Sequence, residues 1–205
     1  MSRLPILIII TNLIFLSCKE KSGIPKIEIA QVAVKKQITL KEKYTSLFQN
    51  TPDYKSVKFD FPVGKPNAKG YYNAQKFQEN SHLGDDWNGI KGGNSDLGDT
   101  IYSISNGYIM ETKNYKGGWG NVVRINHFFK NKLYQSVYAH CDTILIKQNQ
   151  FVKRGDKIAT IGNCNGVYLA HLHLEIRDSI ELDIGNGYSN ITKGYIDPTL
   201  FIKNN

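Results

Sequence analysis

The chain has 205 residues, a formal net charge of +8, and 40% hydrophobic, 21% charged and 11% aromatic residues. That length holds one domain with a leader and a linker. No dense Lys/Arg run with interleaved aromatics occurs, which gives nucleic-acid binding no support. A basic surface outside the cytoplasm favours anionic polymers such as cell wall; a solvated, lysine-rich surface accounts for the same charge.

Residues 1–17 carry one charged side chain, Arg3, followed by an apolar run from Leu4 to Leu16 that only Thr11 and Asn12 interrupt. A basic start, a short apolar core and a small residue before the cut read as a secretory signal, and the run is too short to span a bilayer, which needs about 20 apolar residues. Cys18 stands where a bacterial lipoprotein signal places its lipidated cysteine, with Phe15 and Leu16 at positions where Leu and a small residue are usual. Lipidation at Cys18 is expected, with ordinary secretion as the alternative; both place the mature protein outside the cytoplasm. Residues 18–56 are polar and lysine-rich at the start, with a possible short helix over Lys41–Phe48, and read as a tether outside the core.

From residue 57 to 205 the chain reads as one all-β domain, an antiparallel sheet or barrel-sandwich with little helix. Val57-Lys58-Phe59-Asp60-Phe61-Pro62-Val63 alternates like a strand, and Pro62 places it at an edge. The run Gly98-Asp99-Thr100-Ile101-Tyr102-Ser103-Ile104 echoes Gly155-Asp156-Lys157-Ile158-Ala159-Thr160-Ile161. Two copies are too few for a solenoid and fit two similar β elements of one domain. A biotinyl/lipoyl-like carrier has similar Gly-turn texture, but needs an exposed lysine at a hairpin tip and leaves the histidines idle.

Four of the five histidines fall in motif-like settings. His82 and Asp86 are spaced H-x-x-x-D around Gly84. His140 closes the strand Leu133–His140. His171 and His173 lie two apart in Ala170-His171-Leu172-His173-Leu174-Glu175, whose alternation reads as a half-buried strand with both imidazoles and Glu175 on one face. A catalytic zinc takes three N/O ligands and leaves a fourth position open. His82, Asp86 and His173 supply two imidazoles and a carboxylate, leaving His140 and His171 as catalytic partners. Glu175 is a candidate acceptor for a ligand N–H, or a surface ion-pair residue. His127 reads as structural or exposed. Cys141 and Cys164 are candidates for a disulfide in an oxidising compartment. Trp87, Tyr115, Trp119 and Tyr168 are candidates to line a groove or to pack, as is Tyr138 to bond in the site or to pack.

Together these residues resemble the lysostaphin/LytM-type zinc metalloendopeptidases, with H-x-x-x-D, a Y-x-H-like element at Tyr138-Ala139-His140, and a terminal H-x-H. Gly118-Trp119-Gly120-Asn121, Val152-Lys153-Arg154-Gly155 and Ile196-Asp197-Pro198 are similar to further family segments, so the likeness covers about residues 57 to 203. Cys141 and Leu174 depart from the usual Leu and Phe. The resemblance implies one zinc per domain held by His82, Asp86 and His173. It also implies catalytic His140 and His171 and peptidoglycan peptides as substrate; a monomer is expected, and the leader, which lies outside the likeness, adds the expectation of a membrane tether through Cys18. Asp85 is the rival carboxylate. A binding or activator module on the same fold is the alternative function; a non-haem iron oxygenase also uses two histidines and a carboxylate. No H-E-x-x-H occurs, which excludes a thermolysin-like arrangement.

Overall fold

The computed structural model describes residues 37–205. The expected leader, Cys18 and the first half of the expected tether lie outside the described residues. Gln37–Asn205 forms one compact unit. Among the described residues no helix is long and apolar enough to cross a membrane.

The expected tether is overturned over its second half. Helix α1, Leu40–Asn50, starts at a capping box in which Thr39 Oγ1 accepts from Glu42 N and Glu42 Oε2 accepts from Thr39 N. One turn apart on α1, Tyr44 and Phe48 are buried against Phe128, Leu133 and Ile180. Tyr44 and Phe48, with Leu47 and Tyr54 packed against the same cluster, bind the segment to the domain, although most of its other residues are polar.

Ten antiparallel strands form one sheet: β1 (Tyr71–Gln75), β2 (Asp85–Gly89), β3 (Thr100–Tyr102), β4 (Gly107–Asn114), β5 (Asn121–Phe129), β6 (Lys132–Ile144), β7 (Phe151–Val152), β8 (Lys157–Ile161), β9 (Leu172–Arg177) and β10 (Tyr195–Ile196). The main order is β1-β2-β9-β6-β5-β4-β7; β10 pairs with β9, and β8 pairs with β3 and β6. Helix α2, Pro198–Asn204, closes the described chain. The all-β reading stands. β5 and β6 form the longest hairpin, turned by Lys130 and Asn131, both at positive φ. Two such residues give the turn a twist that matches that of the strands.

The two echoed segments are partners. Thr100 of β3 faces Thr160 of β8 and Ile101 faces Ala159. Their Gly-Asp turns close the pair at both ends, through Gly98 N to Ile161 O and Gly155 N to Ser103 O.

Residues 57–63 are extended but form no strand, contrary to the sequence expectation. Phe59, Phe61 and Val63 do point into the core, as the alternation predicts, whereas Val57, on the same side of the pattern, is exposed. Their amides are satisfied singly: Phe59 N donates to Asn205 O, Asp60 N to Ile104 O and Phe61 N to Pro66 O. Alternation follows burial, whereas a ladder needs one continuous partner, and here the partners are three separate segments.

The main core gathers Ile109, Val123, Ile125, Tyr138, Leu172, Leu174 and Ile176 on one face of the sheet. A second, smaller cluster of Val122, Val137 and Ala139, with Trp119 and Ile184, lies on the other. β9 is buried on both faces, not half-buried as expected. Its apolar residues enter the main core, and its polar residues His173, Glu175 and Arg177 form a buried polar row on the opposite face.

Candidate metal centre

Three adjacent strands deliver the site. Asp86 on β2 pairs directly with His173 on β9, and His173 pairs on its other side with Ala139 on β6. His82 precedes β2, where its backbone bridges to Tyr188 and the next amide, Leu83 N, donates to Gly187 O. The neighbouring carboxylates point to opposite faces. Asp85 is buried and accepts from Phe77 N, Thr199 N and Thr199 Oγ1. All of its visible partners are structural, so Asp86 is the carboxylate that faces the histidines.

His140 reaches the site through an irregularity. In regular β geometry the residue after Ala139 points away from the face that carries His173. The β5–β6 register slips between Val123↔Tyr138 and Asn121↔Cys141, giving β6 one extra residue. His140 sits in this bulge at φ 57°. A bulge re-aims a side chain, and the His140 ring lies 5.6 Å from that of His173 and 4.6 Å from that of His171. Cys141 is thereby returned to the main core.

The three expected ligand atoms converge. His82 Nε2 lies 2.9 Å from His173 Nδ1 and 3.3 Å from Asp86 Oδ1, and His173 Nδ1 lies 2.9 Å from Asp86 Oδ1. Tetrahedral zinc with N/O ligands at roughly 2.0–2.1 Å sets its ligand atoms about 3.3 Å apart, so the donor set fits a zinc ion in number, chemistry and spacing. The electrostatics favour a cation at this point. Burial raises the Asp86 pKa, but hydrogen bonds from His173 and His82 outweigh it and hold the carboxyl well below the usual carboxylate range. Burial lowers the His173 pKa, yet hydrogen bonds to Asp86 and Glu175 bring it up to about 9. Glu175 supports His173 from behind: His173 Nε2 lies 3.3 Å from Glu175 Oε1. The expected acceptor role of Glu175 is the one found, and its carboxylate is fully buried rather than at the surface.

The two flanking imidazoles differ. His171 Nδ1 lies 2.8 Å from Leu169 O, which fixes the proton on Nδ1. His171 Nε2 is left 3.8 Å from Asp86 Oδ2, facing the site. His140 Nδ1 contacts Cys164 Sγ at 3.4 Å. Burial, reinforced by His173 and His171, pushes the His140 pKa down to about 3 and keeps the ring neutral. Cys141 and Cys164 are both free thiols.

A cleft of about 540 Å³ opens over these groups, with Trp119, Tyr168 and Tyr188 on its walls. Trp119 and Tyr168 are thus groove residues. Trp87 is core, edge-on to Phe61, and Tyr115 packs beside Trp119 with its hydroxyl on Glu111. Tyr138 is also core; its hydroxyl accepts from Ile104 N and Ser136 Oγ. His127 is structural, bonded to Asn106 O and Ser136 Oγ. Sequence reasoning missed Tyr188, whose ring lies 5.1 Å from that of His82. The only local signal is the flanking Gly185-Asn186-Gly187, which marks a turn and not a wall.

A β-sheet that presents two histidines and a carboxylate to one point, flanked by two further imidazoles, forms a candidate metal centre. The chain belongs to peptidase family M23, whose family model matches residues 85–189. That match begins three residues after His82. Over 80 residues, 39% of this chain, it is 41% identical to Lipoprotein NlpD of Yersinia enterocolitica, covering 78% of that protein. The same identity and span hold for Murein hydrolase activator NlpD of Escherichia coli (strain K12), of which 20% is covered. Peptidoglycan DD-endopeptidase ShyB of Vibrio cholerae is 36% identical over 80 residues, again 39% of this chain and 18% of that protein. The chain therefore spans about a fifth of the length of the last two. Among solved structures, cbpa from L. salivarius REN matches with a TM-score of 0.52 and 25% identity, covering 72% of this chain and 95% of that one.

Proposed function

We propose that this chain is a zinc-dependent metalloendopeptidase that hydrolyses peptide bonds in peptidoglycan stem peptides or cross-links. The observation that carries the reading is the convergence of His82 Nε2, Asp86 Oδ1 and His173 Nδ1 within 3.3 Å of one another under a cleft. These three residues would hold the zinc. When bound, zinc lowers the pKa of water and polarises a peptide carbonyl. His171, with its proton held on Nδ1 by Leu169 O, offers Nε2 to take a proton from the attacking water and return it to the leaving amine. His140, beside His171, would donate Nε2–H to the developing oxyanion in the tautomer that carries its proton there. Trp119, Tyr168 and Tyr188 flank the bound peptide.

The relatives named as a lipoprotein, an activator and a peptidoglycan endopeptidase support an envelope setting. We place the mature protein outside the cytoplasm, cleaved after residue 17 and anchored through Cys18. The second reading is a catalytically silent activator of other cell-wall hydrolases, favoured by the name of the Escherichia coli relative. The five site residues are all present, which favours the enzyme. Mass spectrometry of defined cross-linked muropeptides after digestion tests the choice. Cleavage by the wild type and none by His173→Ala is the expected result. Identical products at identical rates from both proteins would remove the zinc assignment. A zinc-loaded wild type that cleaves nothing yet stimulates a separate hydrolase would establish the activator reading.

A further inference from the structure

Behind the candidate ligand His173 the buried row continues to Arg177, which is fully enclosed. All three nitrogens of its guanidinium are engaged. Nε and Nη2 meet Glu175 Oε2 at 2.6 and 2.5 Å. Nη1 donates to Leu182 O and Asp183 O, and Nη2 to Ile184 O. Three successive carbonyls of a segment without regular structure therefore end on one side chain. The next residues, Gly185 to Tyr188, form a wall of the cleft. Arg124 Nη2 adds a bond to Leu182 O, and Trp119 Nε1 one to Gly185 O.

The row is thus continuous from His173 through the Glu175 carboxylate and the Arg177 guanidinium to the wall. We infer that Arg177 is a positioning residue that ties the cleft wall over residues 182–188 to the metal ligand His173, so that metal binding and ordering of the wall reinforce each other. This inference rests on the zinc reading above. The physical basis is the stiffness of the link. A planar guanidinium holds its partners in a fixed fork, which the flexible ammonium of lysine does not. A carboxylate that orients a ligand imidazole is in turn held by its own partners, and loss of such support typically weakens metal binding about 10–100-fold. Coupling of this kind is reciprocal: what metal does for the wall, the wall does for metal affinity.

Amide hydrogen exchange on the wild-type protein, with and without one equivalent of zinc, reads the tie directly. Zinc is expected to slow exchange across 182–188 several-fold. Chelator competition on Arg177→Lys gives the second arm, with zinc bound about 10–100-fold more weakly and the exchange of 182–188 no longer responsive to zinc. A wild type that binds one zinc while exchange over 182–188 stays the same overturns the tie and leaves the zinc reading intact. So does an Arg177→Lys protein with unchanged affinity. A wild type that binds no zinc overturns the zinc reading and the tie together. The wild-type exchange arm stands even where the variant fails to fold.

Discussion

Asp86 and His173 are direct cross-strand partners, and the carboxylate oxygen of one lies 2.9 Å from the ring nitrogen of the other. Directly opposite residues on paired strands project to the same face. The sheet itself therefore sets the spacing of two of the three candidate ligands, and only His82 is placed by a loop.

The neighbouring aspartates have separable roles. Asp86→Asn is expected to abolish tight zinc binding with little change in fold. Asp85→Asn leaves the donors Phe77 N and Thr199 without a charged acceptor, and is expected to destabilise by about 1–3 kcal/mol while zinc still binds. Urea denaturation and metal titration of the two variants check this. A zinc-free Asp85→Asn that keeps wild-type stability would reverse the roles.

Gly84 sits between the first two candidate ligands because of what lies beside it. A Cβ there would come within 2.5 Å of Leu174 O and 2.9 Å of His173 Cε1. Gly84→Ala is expected to cost about 1–3 kcal/mol by overpacking and to weaken zinc binding by pushing the His173 ring. Thermal melts with and without zinc measure both effects. The sequence shows this glycine at the centre of H-x-x-x-D; the close approach of β9 is the constraint the structure adds.

His171→Ala is expected to keep zinc and lose roughly 10²–10⁴-fold in turnover, the usual size of a general-base contribution. Metal analysis beside a muropeptide assay decides. Loss of the metal instead would move His171 into the ligand set.

His127 makes stability depend on pH. Burial pushes its pKa down to about 4, against a partial rise from its bond to Asn106 O. The unfolded chain, with an ordinary value near 6.5, therefore binds the proton first. Stability is complete above about pH 6.5 and falls as pH drops toward 4, by about 3 kcal/mol in total. His127→Gln is expected to flatten that limb of a denaturation series taken from pH 7 to 4. An unchanged slope assigns the acid sensitivity elsewhere.

Much of this arrangement was legible in the sequence, for identifiable reasons. Period-two alternation put His171, His173 and Glu175 on one face, because side-chain direction on a strand is local, although β9 begins only at Leu172 and His171 makes an isolated bridge to Gly162. The choice of Asp86 over Asp85 came from the family spacing and agrees with the opposite faces of β2. The bulge that turns His140 inward was not legible, since a register slip is a property of two strands. The same holds for residues 57–63, where apolar alternation was real but no single partner strand existed. α1 was read as tether because its few contact residues, Tyr44, Leu47 and Phe48, are set among lysines and other polar side chains. Tyr188 and the reach of Arg177 depend on the path of a loop, which composition does not encode.

The most direct measurement is anomalous X-ray diffraction at the zinc edge on crystals of the zinc-loaded protein. The account predicts one peak, with His82 Nε2, His173 Nδ1 and an Asp86 carboxylate oxygen each at about 2.0–2.2 Å. A zinc ion bound elsewhere on the domain, with those three side chains uncoordinated, would contradict it.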